Sequence, residues 1–173
     1  MKAVLAVDVG GTYIKYGKIG PDQKISMSGK VKTPKNRKMF FQVLHEIQEK
    51  AGGCMKSSDI EGAAFSMAGV IDTKKGTVSN IGAVSYLRGL DFSQLFFEKS
   101  GLKNVIENDA KAAVYGELCC GSLKNVKNGV ALIIGTNVGG GIVAEGNLLR
   151  GAHGAAGEFS YIYNMAGING RDM

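Results

Sequence analysis

Residues 3–7, Ala-Val-Leu-Ala-Val, form a short apolar run that ends at Asp8 and the pair Gly10-Gly11, the pattern of a buried strand entering a tight turn. Residues 13–19 alternate between apolar and polar, and 24–33 do so more weakly after a Gly20-Pro21-Asp22 turn. Three antiparallel strands therefore open the chain. The period then changes: Phe40, Val43, Leu44, Ile47 and Ala51 recur at spacings of three and four across 37–51. This predicts an amphipathic helix closed by Gly52-Gly53, with His45 on its solvated edge. Residues 60–67 read as a strand that leaves through a loop over 68–72, and 92–101 as a short helix. Residues 104–107 read as a buried strand, and 108–121 as a helix with Asn108 and Asp109 as capping candidates.

A second pattern begins at the apolar run 130–134, which enters a Gly-rich turn over 135–141 and leaves through 142–144. It repeats the opening in kind, an apolar strand, a Gly-rich turn with Thr and a second strand, about 127 residues later. Two related half-structures are expected, residues 1–118 as the first domain and 119–173 as the incomplete beginning of the second. From Tyr161 onward no pattern is legible.

Composition narrows the class. With 45% apolar residues in 173, the chain can build a core. Gly reaches 26 residues while Pro is limited to two, so tight turns and close backbone approaches are expected. The net charge of +6 is concentrated in residues 1–60, which hold 11 basic and 5 acidic side chains. The lysines there lie in strand-like and turn-like segments without interleaved aromatic stacking positions. They read as a solvated face rather than a nucleic-acid surface. No apolar stretch approaches the roughly 18 residues needed to span a bilayer, so no membrane partner is expected. Cys54, Cys119 and Cys120 follow no secretory signal and read as reduced thiols of a cytoplasmic protein. Three Cys and two His offer no zinc-site spacing.

The candidate chemistry lies in the turns and at one helix start. A turn lacking Cβ atoms lets backbone N–H groups approach a phosphate, and Thr12 and Thr136 add hydroxyls. Neither turn matches the better-known nucleotide loops, and an ordinary hairpin is the competing reading of each. Asp8 stands directly ahead of the first turn, where a carboxylate needs a hydrogen bond or a cation, and a hydrated Mg²⁺ on a nucleotide would suit it. Asp109 reads either as a helix cap or as a base that accepts a hydroxyl proton during phosphoryl transfer, and the helix dipole favours negative charge there in both roles. Ser66 and Cys119 lack a positioned His, so nucleophilic catalysis has less support.

These motifs resemble a known family. Asp8-Val9-Gly10-Gly11-Thr12-Tyr13-Ile14-Lys15 is similar to the first phosphate motif of the ROK (repressor, open reading frame, kinase) sugar kinases, in the superfamily of hexokinase, actin and heat-shock proteins. Glu107-Asn108-Asp109-Ala110-Lys111-Ala112-Ala113 resembles the catalytic segment of that family, 135–141 its second phosphate motif, and Gly154-Ala155-Ala156-Gly157-Glu158-Phe159 its sugar-binding loop. The resemblance covers essentially the whole chain in order. It implies an α/β, ribonuclease H-like or actin-like ATPase fold, with a mixed sheet, three antiparallel opening strands, flanking helices and an incomplete second copy. It implies ATP-dependent phosphorylation of a hexose or related sugar, with ATP and Mg²⁺. Asp109 would be the base, with Gly69, Asn80, Asn108 and Glu158 around the sugar. Asp8 would face Mg²⁺ through water, and Gly10, Gly11, Thr12, Lys15, Gly135, Thr136, Gly139 and Gly140 would lie near the phosphates. Lys15, on an alternating strand, is equally a solvated side chain. A homodimer is the assembly the resemblance suggests.

Two departures stand out. The family usually carries Gly-His after its Ala-Gly-Glu-Phe stretch, where this chain has Ser160-Tyr161, and the Cys-rich zinc segment is missing, so no zinc site is expected. Family kinases are also nearly twice this long, which suggests that the adenosine pocket and most of the second domain lie outside the chain. The competing reading is a non-catalytic sugar-sensing module like the ROK repressors. Those carry a helix-turn-helix ahead of the first phosphate motif, which here begins eight residues from Met1.

Overall fold

The computed structural model describes residues 2–52, 59–80, 84–135 and 138–161 and, for Asn80, the backbone alone. The chain divides into two compact units, Met1–Ala112 and Ala113–Met173.

In the first unit β1 (Ala3–Val9), β2 (Tyr13–Ile19) and β3 (Ile25–Lys32) form the expected antiparallel opening. Helix α1 (Arg37–Lys50) follows, then β4 (Ile60–Met67), a hairpin of β5 (Val70–Asp72) and β6 (Thr77–Asn80), helix α2 (Phe92–Ser100) and β7 (Asn104–Asn108). The main sheet has the order β3-β2-β1-β4-β7, with β4 parallel to both β1 and β7.

Strand alternation decides which side of this sheet is covered. Leu5, Val7 and Val9 share one face with Ala63, Phe65, Met67 and Ile106, and all are buried. Phe40, Phe41, Leu44 and Ile47 of α1 and Phe92 and Phe96 of α2 close over that face in one cluster. Phe92 is the hub: its ring meets Phe65 edge-on at 4.9 Å and stacks on Phe96 at 6.2 Å. Each fully buried Phe contributes about 1.5–3 kcal/mol of burial free energy. The opposite face carries Asp8, Ser66 and the exposed Val4 and Val105.

Short polar residues set the helix starts. The Asn36 carboxamide oxygen accepts from the Met39 N–H at 2.9 Å, and the Asp91 carboxylate accepts from the Gln94 N–H at 3.0 Å. Helix α2 ends at Gly101, whose φ of +69° is the left-handed conformation that closes many helices.

Two expectations are corrected. Residues 70–72, read as loop, pair with β6 instead. Their turn is built by Asp72, whose carboxylate accepts from the N–H groups of Lys74 and Lys75 at 3.1 Å each, and by Gly76 at φ +71°. The Gly-rich turn expected over 135–141 does not include Gly139, Gly140 and Gly141, which belong to a strand.

That strand is β9 (Val138–Ala144), the centre of a three-stranded antiparallel sheet with β8 (Gly129–Ile134) and β10 (Asn147–Leu149) in the second unit. Its glycines serve close approach. A Cβ on Gly140 would collide with the Ala131 carbonyl oxygen and lie 2.6 Å from the Phe159 ring, and one on Gly157 would lie 2.7 Å from the Gly141 Cα. The segment ending in the 3₁₀ turn Phe159–Tyr161 thus rests directly on bare backbone. Helix α3 (Asp109–Cys120) begins in the first unit and continues into the second.

Candidate functional site

The first turn is clasped from outside. The Gly10 N–H donates to the Tyr13 carbonyl at 3.1 Å, and the Thr33 hydroxyl donates to the Gly10 carbonyl at 2.7 Å. The Thr33 N–H donates to the Thr12 carbonyl at 3.0 Å. A Cβ on Gly10 would lie 2.9 Å from the Tyr13 carbonyl oxygen, so the turn requires glycine there. Gly11 and Thr12 are exposed at its tip. Thr33, just past the end of β3, is a residue the sequence pattern did not single out.

Asp8 is not buried, contrary to its position at the end of an apolar strand. Its side chain points to the open face and is 46% exposed. Register gives it two neighbours, Lys15 across β2 and Ser66 across β4. The Ser66 hydroxyl donates to the Asp8 carboxylate at 2.6 Å, while the Lys15 ammonium stands 3.8 Å from its second oxygen. Lys15 is 70% exposed, as the solvated reading of it expects, and it faces Asp8 loosely. This donor set fits a hydrated Mg²⁺, which keeps most of its waters and takes one or two carboxylates. Asp8 would hold it through the loosely paired oxygen. Among the described residues, no three His, Cys, Asp or Glu side chains gather as a direct metal-binding group.

At the start of α3 the two capping candidates separate. The Asn108 side-chain oxygen accepts from the Lys111 N–H at 3.0 Å, three residues on, so Asn108 is the cap. Asp109 is the first helical residue, exposed, with one oxygen accepting from the Ala110 N–H at 2.9 Å. Asn108 also reaches back: its amide nitrogen donates to the Gly69 carbonyl at 3.1 Å. Gly69 sits at φ +113°, a conformation that glycine adopts without strain. Gly69, Asn108 and Asp109 are therefore brought together. Asn80 pairs through its backbone with Val70, the residue after Gly69.

In the second unit Gly135 is exposed between β8 and β9, and Thr136 lies outside the described residues. Gly139 and Gly140 pair with Ile133 and Leu132. Glu158 precedes the final 3₁₀ turn and is partly buried, and Tyr161 is 71% exposed. No helix of the described residues is long and apolar enough to cross a membrane.

A mixed 3-2-1-4-7 sheet with helices on its core face, a Gly-Gly-Thr turn beside an Asp, and an Asp at the start of a helix define an actin-like ATPase fold of the sugar-kinase type. The sequence profile of the ROK family matches residues 4–166, and the chain belongs to that family. Beta-glucoside kinase from Listeria monocytogenes is 30% identical over 161 residues, 93% of this chain and 53% of that protein. A ROK family glucokinase from Streptomyces griseus, solved with glucose and AMPPNP, superposes with a TM-score of 0.80 at 30% identity, covering 92% of this chain and 50% of that one. A ROK family transcriptional regulator shares the fold, with a TM-score of 0.80 at 20% identity and 40% of its chain covered. The chain thus spans about half the length of the relatives it matches.

Proposed function

We propose that this chain forms the sugar-side and first phosphate-side portion of an ATP-dependent sugar kinase in which Asp109 is the base. The observation that carries this reading is the division of labour at α3. Asn108 satisfies the helix end, so the Asp109 carboxylate is not needed as the cap and stands exposed at the first helical position. A hexose is the substrate class that the kinase relatives favour, with Gly69, Asn80 and Asn108 as its neighbours in the first unit. Asp109 takes the proton from the attacking sugar hydroxyl, the oxygen bonds to the γ-phosphorus of ATP, and the bond from that phosphorus to the bridging oxygen breaks, releasing ADP. Gly11 and Thr12 present backbone N–H groups and the Thr12 hydroxyl to the phosphates, and Gly10, whose own N–H is taken by the Tyr13 carbonyl, shapes the turn that carries them. Asp8 would hold, through water, a Mg²⁺ bound with ATP, and that ion would supply neutralisation of charge on the phosphate oxygens.

The test is ADP release on the longest product of the gene containing this chain, with glucose and a β-glucoside as substrates. Asp109→Asn should lower turnover by about 10²–10⁴-fold while sugar-dependent thermal stabilisation persists. Undiminished turnover would remove Asp109 from the base role. Because a regulator shares the fold, a sugar-sensing module is the second reading, favoured if sugars stabilise the protein and ADP release stays absent with the unaltered sequence.

A further inference from the structure

Asn108 has more bonds than a helix cap requires. Its side-chain oxygen is occupied by the Lys111 N–H and its side-chain nitrogen by the Gly69 carbonyl, at 3.0 and 3.1 Å, and the residue is 8% exposed. A carboxamide carries two amide hydrogens, so one hydrogen of this buried side chain is left for any further partner. The Gly69 bond spans 39 residues and joins two separate pieces of the first unit. On one side is α3, whose first residue is Asp109. On the other is Gly69, which leads directly into β5 and, through the Val70 pairing, to Asn80 at the end of β6.

We infer that Asn108 is a positioning residue, a latch that holds the β5–β6 hairpin to the start of α3 and thereby sets the sugar-side groups of the hairpin against Asp109. The inference rests on the reading of Gly69, Asn80 and Asp109 as sugar-side residues. Gly69 suits the latch because its carbonyl accepts from Asn108 while its φ of +113° is one in which a side chain would be strained. A group that only contacted sugar would leave the empty protein unchanged, whereas a latch organises it beforehand.

Three measurements test this. In the unaltered chain without sugar, followed by NMR, one side-chain amide hydrogen of Asn108 should exchange at least about tenfold more slowly than that of a free asparagine. Both exchanging at the free rate would overturn the latch. Second, Asn108→Asp keeps an oxygen for the Lys111 N–H but sets an acceptor against the Gly69 carbonyl, and Asn108→Ser keeps only the cap. In either variant, without sugar, amide protection of Val70, Ile71 and Asp72 should fall about tenfold or more while that of α3 falls less than about threefold. Equal losses in both segments, or none in the hairpin, would overturn it. Third, KM for sugar in the longest gene product should rise about tenfold or more in both variants, with KM for ATP within about twofold, and parallel rises would again count against the latch. If the sugar-free results hold but no sugar binds, the latch stands and the sugar reading of the site falls. If sugar binds and the sugar-free results fail, the reverse is true.

Discussion

In β1, Leu5, Val7 and Val9 are 1–2% exposed, whereas in β8, the strand that repeats its pattern, Val130, Leu132 and Ile134 are 57%, 59% and 83% exposed. The two strands make the same local statement, an apolar run ahead of a Gly-rich turn. The first receives two helices on its apolar face and the second does not, among the described residues. The glycines differ as well. Gly10 shapes the turn beside Asp8, while Gly139, Gly140 and Gly141 lie within a strand whose bare backbone seats Gly157 and Phe159. Periodicity therefore reports what a segment can bury, and its neighbours decide whether it does.

The largest expected effect breaks this comparison at its strongest point. Phe92→Ala empties the centre of the aromatic cluster and should cost about 3–5 kcal/mol in urea unfolding followed through the first unit. Leu132→Ala, at 59% exposure, should cost under about 1 kcal/mol. Comparable losses would mean that the face of β8 is packed in solution and that the contrast between the strands is false.

Next in size is Gly140→Ala. The added methyl meets a backbone carbonyl and an aromatic ring that cannot both yield, so a loss of about 1–3 kcal/mol is expected. Amide protection should fall between Gly157 and Tyr161. A neutral substitution would mean that the backbone at Gly140 is not closely covered in solution.

These cases mark what was legible in the sequence. Apolar runs, strand alternation and the helical period located β1, β2, β4, α1 and α2 to within a residue or two, because each of those signals is local. The motif order identified Asp8, Gly69, Asn108 and Asp109 as candidates. The partners were not legible. Ser66 meets Asp8 across 58 residues and Thr33 meets Gly10 across 23, and both bonds follow from strand register, which one sequence does not reveal. Asn108 and Asp109 are equally good caps by residue type, and only the observed helix start separates them. The run 139–141 was misread because glycine signals a turn and a close approach with the same letter.

The smallest effect sharpens the account of how the first turn is held. Thr33 clasps the turn, and the next residue, Pro34, accepts a hydrogen bond from the Tyr86 hydroxyl at 2.6 Å. Burial raises the Tyr86 pKa above its ordinary value of 10.0. The folded state therefore keeps the phenolic proton to higher pH than the unfolded state does. The stability this contributes is fully present below pH 10 and is lost as pH rises through the folded value. Tyr86→Phe keeps the ring and its edge contact with Phe40 but deletes the donor, so it should cost about 0.5–1.5 kcal/mol at neutral pH. The variant should also lose part of the decline in stability above pH 10, measured as the urea midpoint against pH. An unchanged alkaline decline would show that the Tyr86 hydroxyl does not contribute to holding this segment.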